Sequence, residues 1–274
     1  MRGRAAIVAV ALLAATVEAV AAAEAESLWT AGTLARGRIV LARDGLSPAG
    51  TIEGAIEIEL PAGARTYWAF PGPYGFAPQI SRTGSVNLGR FEPGWPVPHL
   101  LSEGRQLGAE SAGYRDRVAL PFGLAAADRA LPVTLALEIE LGVCEDICVP
   151  DLLVLEMSLV RGTGRRSRHA SRVAAALASV PAANGTGGLR VSGVERSPAD
   201  GSFVVRAQAH DGFVSPHLFV ESLAPDCPTA VAPMQMQAGQ ARFPVASACA
   251  RDGVLAMVLA DRGVAIRAQF SIGN

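Results

Sequence analysis

The stretch from Val133 to Val143 alternates along its length: Val133, Leu135, Leu137, Ile139, Leu141 and Val143 share one parity, while Thr134, Glu138 and Glu140 take the other. A period of two is the signature of a strand with one face in a core and the other in water. The same pattern appears earlier, with Ile52, Ile56, Ile58 and Leu60 opposed to Glu53, Glu57 and Glu59. Between these runs lies a stretch from Phe70 to Gly113 punctuated by Pro71, Pro73, Pro78, Pro93, Pro96 and Pro98. Proline gives up a ladder donor and cannot sit mid-sheet, so this stretch reads as a long irregular excursion. Residues 29 to 161 therefore predict an antiparallel sandwich.

A composition shift follows at Arg161 to Arg172, with Gly162, Gly164 and the cluster Arg165, Arg166, Arg168 and Arg172. It predicts a solvated linker face rather than a docking patch. A short helix comes next, capped by Ser167 or Ser171, with Val173, Leu177 and Val180 on one stripe and Pro181 ending it. Strand patterns then return at Leu189 to Val194, Phe203 to Ala209, His217 to Glu221, Ala241 to Val245, Val254 to Ala260 and Val264 to Phe270. The expected division is a leader over 1–23, a first sandwich domain over 24–162, a linker with a short helix over 163–188, and a second, smaller sandwich over 189–274. Asn184-Gly185-Thr186 matches a glycosylation sequon, a weak signal in a Gly-rich linker.

The leader is read from Arg2 and Arg4, the apolar run Ala5 to Val17 and the small residues Ala19 to Ala23. Its apolar core is shorter than the roughly 20 residues that cross a bilayer, so cleavage and export are expected, with no stable membrane span. Composition narrows function further. The 274 residues carry 24 basic and 25 acidic side chains, a formal charge of −1 that offers no field for nucleic acid. Every basic residue is arginine, which excludes Schiff-base and phosphate-loop lysine chemistry.

Export changes what four cysteines mean, because an oxidising compartment permits disulfides. In Val143-Cys144-Glu145-Asp146-Ile147-Cys148-Val149-Pro150 the two thiols are four residues apart, with strand patterns on both sides. An extended chain would hold them about 13 Å apart, whereas a disulfide tolerates roughly 7 Å between Cα atoms. If they are bonded, the chain must turn, and Glu145-Asp146-Ile147 reads as a three-residue hairpin loop. By parity Cys144 goes with Glu138 and Glu140, and Cys148 with Glu156 and Ser158, so both thiols are expected to open away from the core. Chain entropy assigns such a short loop about 2 kcal/mol, against roughly 3.4 for a bridge between Cys227 and Cys249. On the residues alone, redox exchange, a plain staple and copper(I) held by two thiolates all stay open.

In order along the chain, Trp29, Thr66-Tyr67-Trp68-Ala69-Phe70-Pro71-Gly72, Gly84-Ser85-Val86-Asn87, Trp95-Pro96-Val97-Pro98, Gly113 to Pro121 and the cysteine segment resemble the N-terminal periplasmic domain of the thiol:disulfide interchange protein DsbD. The likeness is closest to the longer form in ScsB-type relatives, and His217 to Glu221 extends it weakly. The resemblance, which spans about residues 29 to 160, implies an immunoglobulin-like domain; with the second sandwich read from its strand pattern, the expected chain is all-β, two immunoglobulin-like antiparallel β-sandwich domains joined by a short helical linker. It implies a periplasmic protein-disulfide reductase component, without cofactor or metal, with Cys148 as attacking thiolate and Cys144 as resolving thiol. The implied partners are a membrane thiol electron donor and periplasmic thioredoxin-like proteins. Glu145 and Asp146 beside the pair disfavour ionisation, so only a modestly acidic thiol is expected.

The family shields its disulfide with a cap loop rich in acidic and aromatic residues. The corresponding stretch, Leu100 to Gly108, offers Glu103 and no aromatic, leaving Tyr67, Trp68 or Phe70 as candidate shields. Cys227 and Cys249 are expected to form a structural disulfide. A non-catalytic β-sandwich module that binds a protein and keeps both disulfides as staples is the rival reading, with copper(I) handling third. Met234 and Met236 could attract copper, though a strand face is the simpler role.

Overall fold

The computed structural model describes residues 25–102, 110–197, 202–221, 229–232, 234–237, 240–247 and 253–272. The expected leader, Glu103, Cys227 and Cys249 lie outside the described residues. The N-terminal half contains β1 (Thr30–Ala31), β2 (Arg36–Leu41), β3 (Thr51–Glu59), β4 (Arg65–Tyr67), β5 (Gln79–Ser81), β6 (Leu88–Pro93), β7 (His99–Ser102), β8 (Glu110–Arg115), β9 (Arg117–Ala126), β10 (Val133–Cys144) and β11 (Cys148–Leu159). One sheet runs β1-β2-β3-β9-β6; the other runs β11-β10-β4-β8-β7, with β5 also paired to β10. All pairs are antiparallel.

The alternation at Val133 to Val143 has its predicted consequence, since all six apolar residues of β10 are buried and face Leu153, Leu155, Met157 and Leu159 of β11 on the same side. Burying side chains of this size contributes roughly 1.5–3 kcal/mol each. The proline-rich excursion is more ordered than the sequence predicts, holding β5, β6, β7 and β8. The proline argument survives in a narrower form: Pro93 ends β6, an edge strand whose outer side needs no donor. Ser85 and Asn87 hold this excursion in place. The Ser85 hydroxyl donates to the Ala136 carbonyl and accepts from its N–H, and Asn87 donates to the Asp128, Leu131 and Pro132 carbonyls.

Helix α1 (Ala170–Ala178) is docked instead of forming part of a solvated linker. Ala170, Val173 and Ala176 are buried, and Val173 and Ala176 pack with Val40 and Ala55 on the outer face of β2 and β3. Leu177, expected on the buried stripe, is exposed, and the helix begins after His169 with no side-chain cap. Ser167 serves two residues before His169, accepting from the His169 N–H and donating to the Leu41 carbonyl. The arginine cluster is consumed internally in part. Arg38 and Arg168 pair with Glu26, Arg38 and Arg172 pair with Glu57, and His169 Nε2 lies 2.9 Å from Glu26.

The C-terminal half contains β12 (Ala182–Ala183), β13 (Leu189–Arg196), β14 (Phe203–Ala209), β15 (His217–Glu221), β16 (Thr229–Val231), β17 (Gln235–Gln237), β18 (Gln240–Ser247), β19 (Gly253–Asp261) and β20 (Val264–Ile272). These form one sheet in the order β12-β20-β19-β15 and another in the order β13-β14-β18-β16, with β17 on β18. Their apolar faces enclose a core centred on Phe203, Phe243, Met257 and Ile266. Met234 packs against that core while Met236 is exposed. Asn184 of the sequon is a clasp: its amide donates to the Val191 carbonyl and accepts the Val191 N–H. The halves meet where Phe219 of β15 joins the N-terminal core, its ring 6.1 Å from that of Trp68. Among the described residues, no helix is long and apolar enough to cross a membrane.

Candidate functional site

Cys144 ends β10 and Cys148 begins β11, directly opposite each other with Cα atoms 4.0 Å apart and joined by a disulfide. Glu145, Asp146 and Ile147 form the expected three-residue connection, all exposed. Parity predicted two thiols facing away from the core, towards solvent or a cover loop, and the structure divides them between the two. Cys148 is exposed, whereas Cys144 has 0% exposure.

The cause is what lies over the outer face of β10 at this end. Cys144 is paired with Arg65 of β4, and paired residues in an antiparallel ladder share a face, as does Tyr67 two positions on. Tyr67 therefore lies beside the cysteines, buried to 2% exposure, and its hydroxyl stands 3.2 Å from Cys148 Sγ and 3.3 Å from Cys144 Sγ. With both sulfurs in a disulfide, the phenol is the donor and the sulfurs accept. Gly142 makes room for this cover. A Cβ there would stand 3.3 Å from Tyr67 Cε2 and 3.4 Å from Phe76 Cβ. Tyr67 of β4 thus lies against Cys144, and Phe76 of the proline-rich excursion lies over the strand at Gly142.

The other candidate shields go elsewhere. Trp68 alternates to the opposite face, stacks edge-on against Phe70 at 5.3 Å, and lies in the core against Phe219. Phe70 lines a groove of about 180 Å³ at the seam with β15. Two neighbours escaped the sequence reading. Phe76 packs over Gly142, and Arg65 donates from Nη1 to the Glu145 carbonyl at 2.6 Å, placing a cation at the hairpin tip beside Glu145 and Asp146. The only signal for Arg65 was its parity with Tyr67, which means nothing until β4 is known to pair with β10.

The strand carrying Cys148 is anchored three residues on. The carboxylate of Asp151, buried on the opposite parity, accepts the N–H groups of Thr33, Leu34, Ala35 and Leu152 at 2.6–2.9 Å. Burial alone would raise its pKa, but these bonds outweigh burial and hold it below the usual carboxylate range. Gly32 permits the approach, since a Cβ there would lie within contact of the carboxylate.

Residues 42–155 match the family model described as thiol:disulfide interchange protein DsbD, N-terminal. No curated protein matches the chain significantly. Among solved structures, the N-terminal periplasmic domain of ScsB from Proteus mirabilis superposes with a TM-score of 0.72 at 20% identity, covering 91% of this chain and 99% of that one. A chimeric titin Z1Z2 bearing a decorin peptide aligns over 90% of the chain at 10% identity with a TM-score of 0.20, too low to inform the fold. The matched segment ends after the cysteine hairpin, while the shared fold continues through the C-terminal half. Residues 42–155 are thus similar to the DsbD N-terminal family, within a chain folded like the ScsB periplasmic domain.

Proposed function

We propose that this chain is an exported, periplasmic thiol:disulfide interchange protein built from two immunoglobulin-like sandwiches, which passes electrons through Cys144 and Cys148 between a membrane thiol donor and thioredoxin-like partners. The observation that carries the reading is the division of labour within one disulfide: one sulfur exposed, the other closed off, and a phenol in reach of both. Attack on a disulfide occurs at an accessible sulfur, and a buried second thiol resolves the intermediate without competing for the partner.

In the reduced state the Cys148 thiolate attacks a partner disulfide. A bond forms from Cys148 Sγ to the partner sulfur, the partner's own disulfide breaks, and its second cysteine leaves as a thiolate. Cys144 loses its proton and attacks Cys148 Sγ, forming the intramolecular disulfide, breaking the mixed disulfide and releasing the partner sulfur that was bonded to Cys148 as a thiolate. Two electrons and two protons reach the partner in total. The Tyr67 hydroxyl can donate to whichever sulfur carries charge, and Arg65 offsets the carboxylates of Glu145 and Asp146.

Graded dithiol buffers followed by alkylation and mass spectrometry test this directly. Cys144 and Cys148 are expected to open before Cys227 and Cys249, and Cys144→Ser is expected to trap a mixed disulfide through Cys148. If the hairpin pair proves the harder to open, it is a staple and the exchange function fails.

A further inference from the structure

Strand β11 is the terminal strand of its sheet, and its outward residues are Cys148, Pro150, Leu152, Val154, Glu156 and Ser158, all exposed. The half nearest the reactive sulfur is apolar, with Leu152 46% and Val154 52% exposed, and Ile147 at the hairpin tip 75% exposed. Solvated sheet faces ordinarily carry polar residues, as the same strand does from Glu156 onward. Apolar side chains continuous along one face and leading to a functional atom mark an interaction surface. The register adds charge: Glu140 lies opposite Leu152 and Glu138 opposite Val154, both exposed, with Glu145 and Asp146 at the tip.

We infer that this strip, Ile147, Pro150, Leu152 and Val154 bordered by Glu138 and Glu140, is the docking surface for the exchange partner. The inference rests on the proposed exchange function. A mixed disulfide brings the partner's sulfur within bonding distance of Cys148 Sγ, so the surface flanking the partner's reactive cysteine must lie against whatever surrounds Cys148. On one side that is the Tyr67 and Phe76 cover; on the other it is this strip. The complementary partner is a thioredoxin-like protein presenting an apolar patch and basic side chains next to its Cys-Xaa-Xaa-Cys pair.

The experiment reduces the oxidised chain with two probes, dithiothreitol and a reduced thioredoxin-fold protein whose surface around its cysteine pair is apolar and basic. In each case the probe thiolate attacks Cys148 Sγ, Cys144 leaves as a thiolate, and the probe's second thiol closes the probe's disulfide, releasing Cys148. Leu152→Glu with Val154→Glu is expected to slow the protein probe by about ten-fold or more and to leave dithiothreitol unchanged. Glu138→Gln with Glu140→Gln is expected to slow the protein probe more modestly and to flatten its dependence on salt. Leu152→Thr with Val154→Thr, which suits an exposed strand, checks that any loss comes from the lost apolar contact and not from misfolding. Equal rates for wild type and all strip variants with the protein probe would overturn the docking surface while leaving exchange intact. A wild-type disulfide opened by dithiothreitol but never by the protein probe would overturn both.

Discussion

The hydroxyl of Tyr67 lies 3.2 Å from Sγ of Cys148, although the two residues are 81 positions apart in sequence. Pairing of β4 with β10 brings them together and gives the cysteine pair a polar neighbour. A hydrogen bond to a charged form lowers the pKa of that group. Tyr67→Phe is therefore expected to raise the apparent pKa of the Cys148 thiol in the reduced protein and slow its alkylation at neutral pH. Stability should fall by only about 1 kcal/mol, because the ring and its packing remain. The pH dependence of iodoacetamide labelling measures the first effect and urea denaturation the second.

Burial distinguishes the two thiols when each is left alone. In Cys144→Ser the remaining Cys148 is expected to react with a small alkylating agent at least about ten times faster than Cys144 does in Cys148→Ser, because only Cys148 is exposed. Comparable rates would mean that the Tyr67 cover opens freely on the labelling timescale.

Asp151 ties β11 to the turn before β2 through four backbone N–H groups. Its pKa is held below the unfolded value, so its contribution to stability is present above about pH 4 and is lost as pH falls through the folded value. Asp151→Ala leaves those donors without the carboxylate and is expected to cost about 3 kcal/mol at pH 7, with a flatter acid limb. Urea midpoints between pH 2 and pH 7 for wild type and variant provide the comparison.

His169 behaves oppositely. Burial first, then the cations of Arg38, Arg172 and Arg168, push its pKa below the usual histidine value, against an opposing pull from Glu57. A neutral ring fits the surroundings, since Arg168 Nε donates to Nε2 at 3.1 Å and Arg172 faces Nδ1 at 3.4 Å. Unfolded histidine takes up its proton near pH 6.5, whereas the folded group resists until lower pH. Stability is therefore expected to decline as pH falls from about 6.5 towards the folded value, and His169→Gln is expected to remove that slope. Thermal unfolding from pH 5 to pH 7.5 measures it.

Phe219 is the aromatic contact through which the C-terminal half reaches the N-terminal core, beside Val258. Phe219→Ala is expected to cost about 3 kcal/mol and to alter Trp68 fluorescence, since it removes one of the two rings packed on the indole. A single unchanged unfolding transition would show that the seam contributes little to cooperativity.

The sequence by itself determined the strands with a clear period of two and the hairpin, but not the short strands of the proline-rich excursion. Period-two runs such as Val133 to Val143 bury one face whatever the neighbours are, and two cysteines four residues apart can bond only across a turn, so local chemistry sufficed. Alternation says which side of a strand a residue takes but not what covers that side. Only the tertiary structure decided that α1 covers Ala55 and Val40, that Tyr67 lies against Cys144 and Phe76 over Gly142, and that Leu152 and Val154 stay open beside Cys148. Those outcomes depend on which distant segments dock on each face, through contacts spanning tens of residues that no local pattern records.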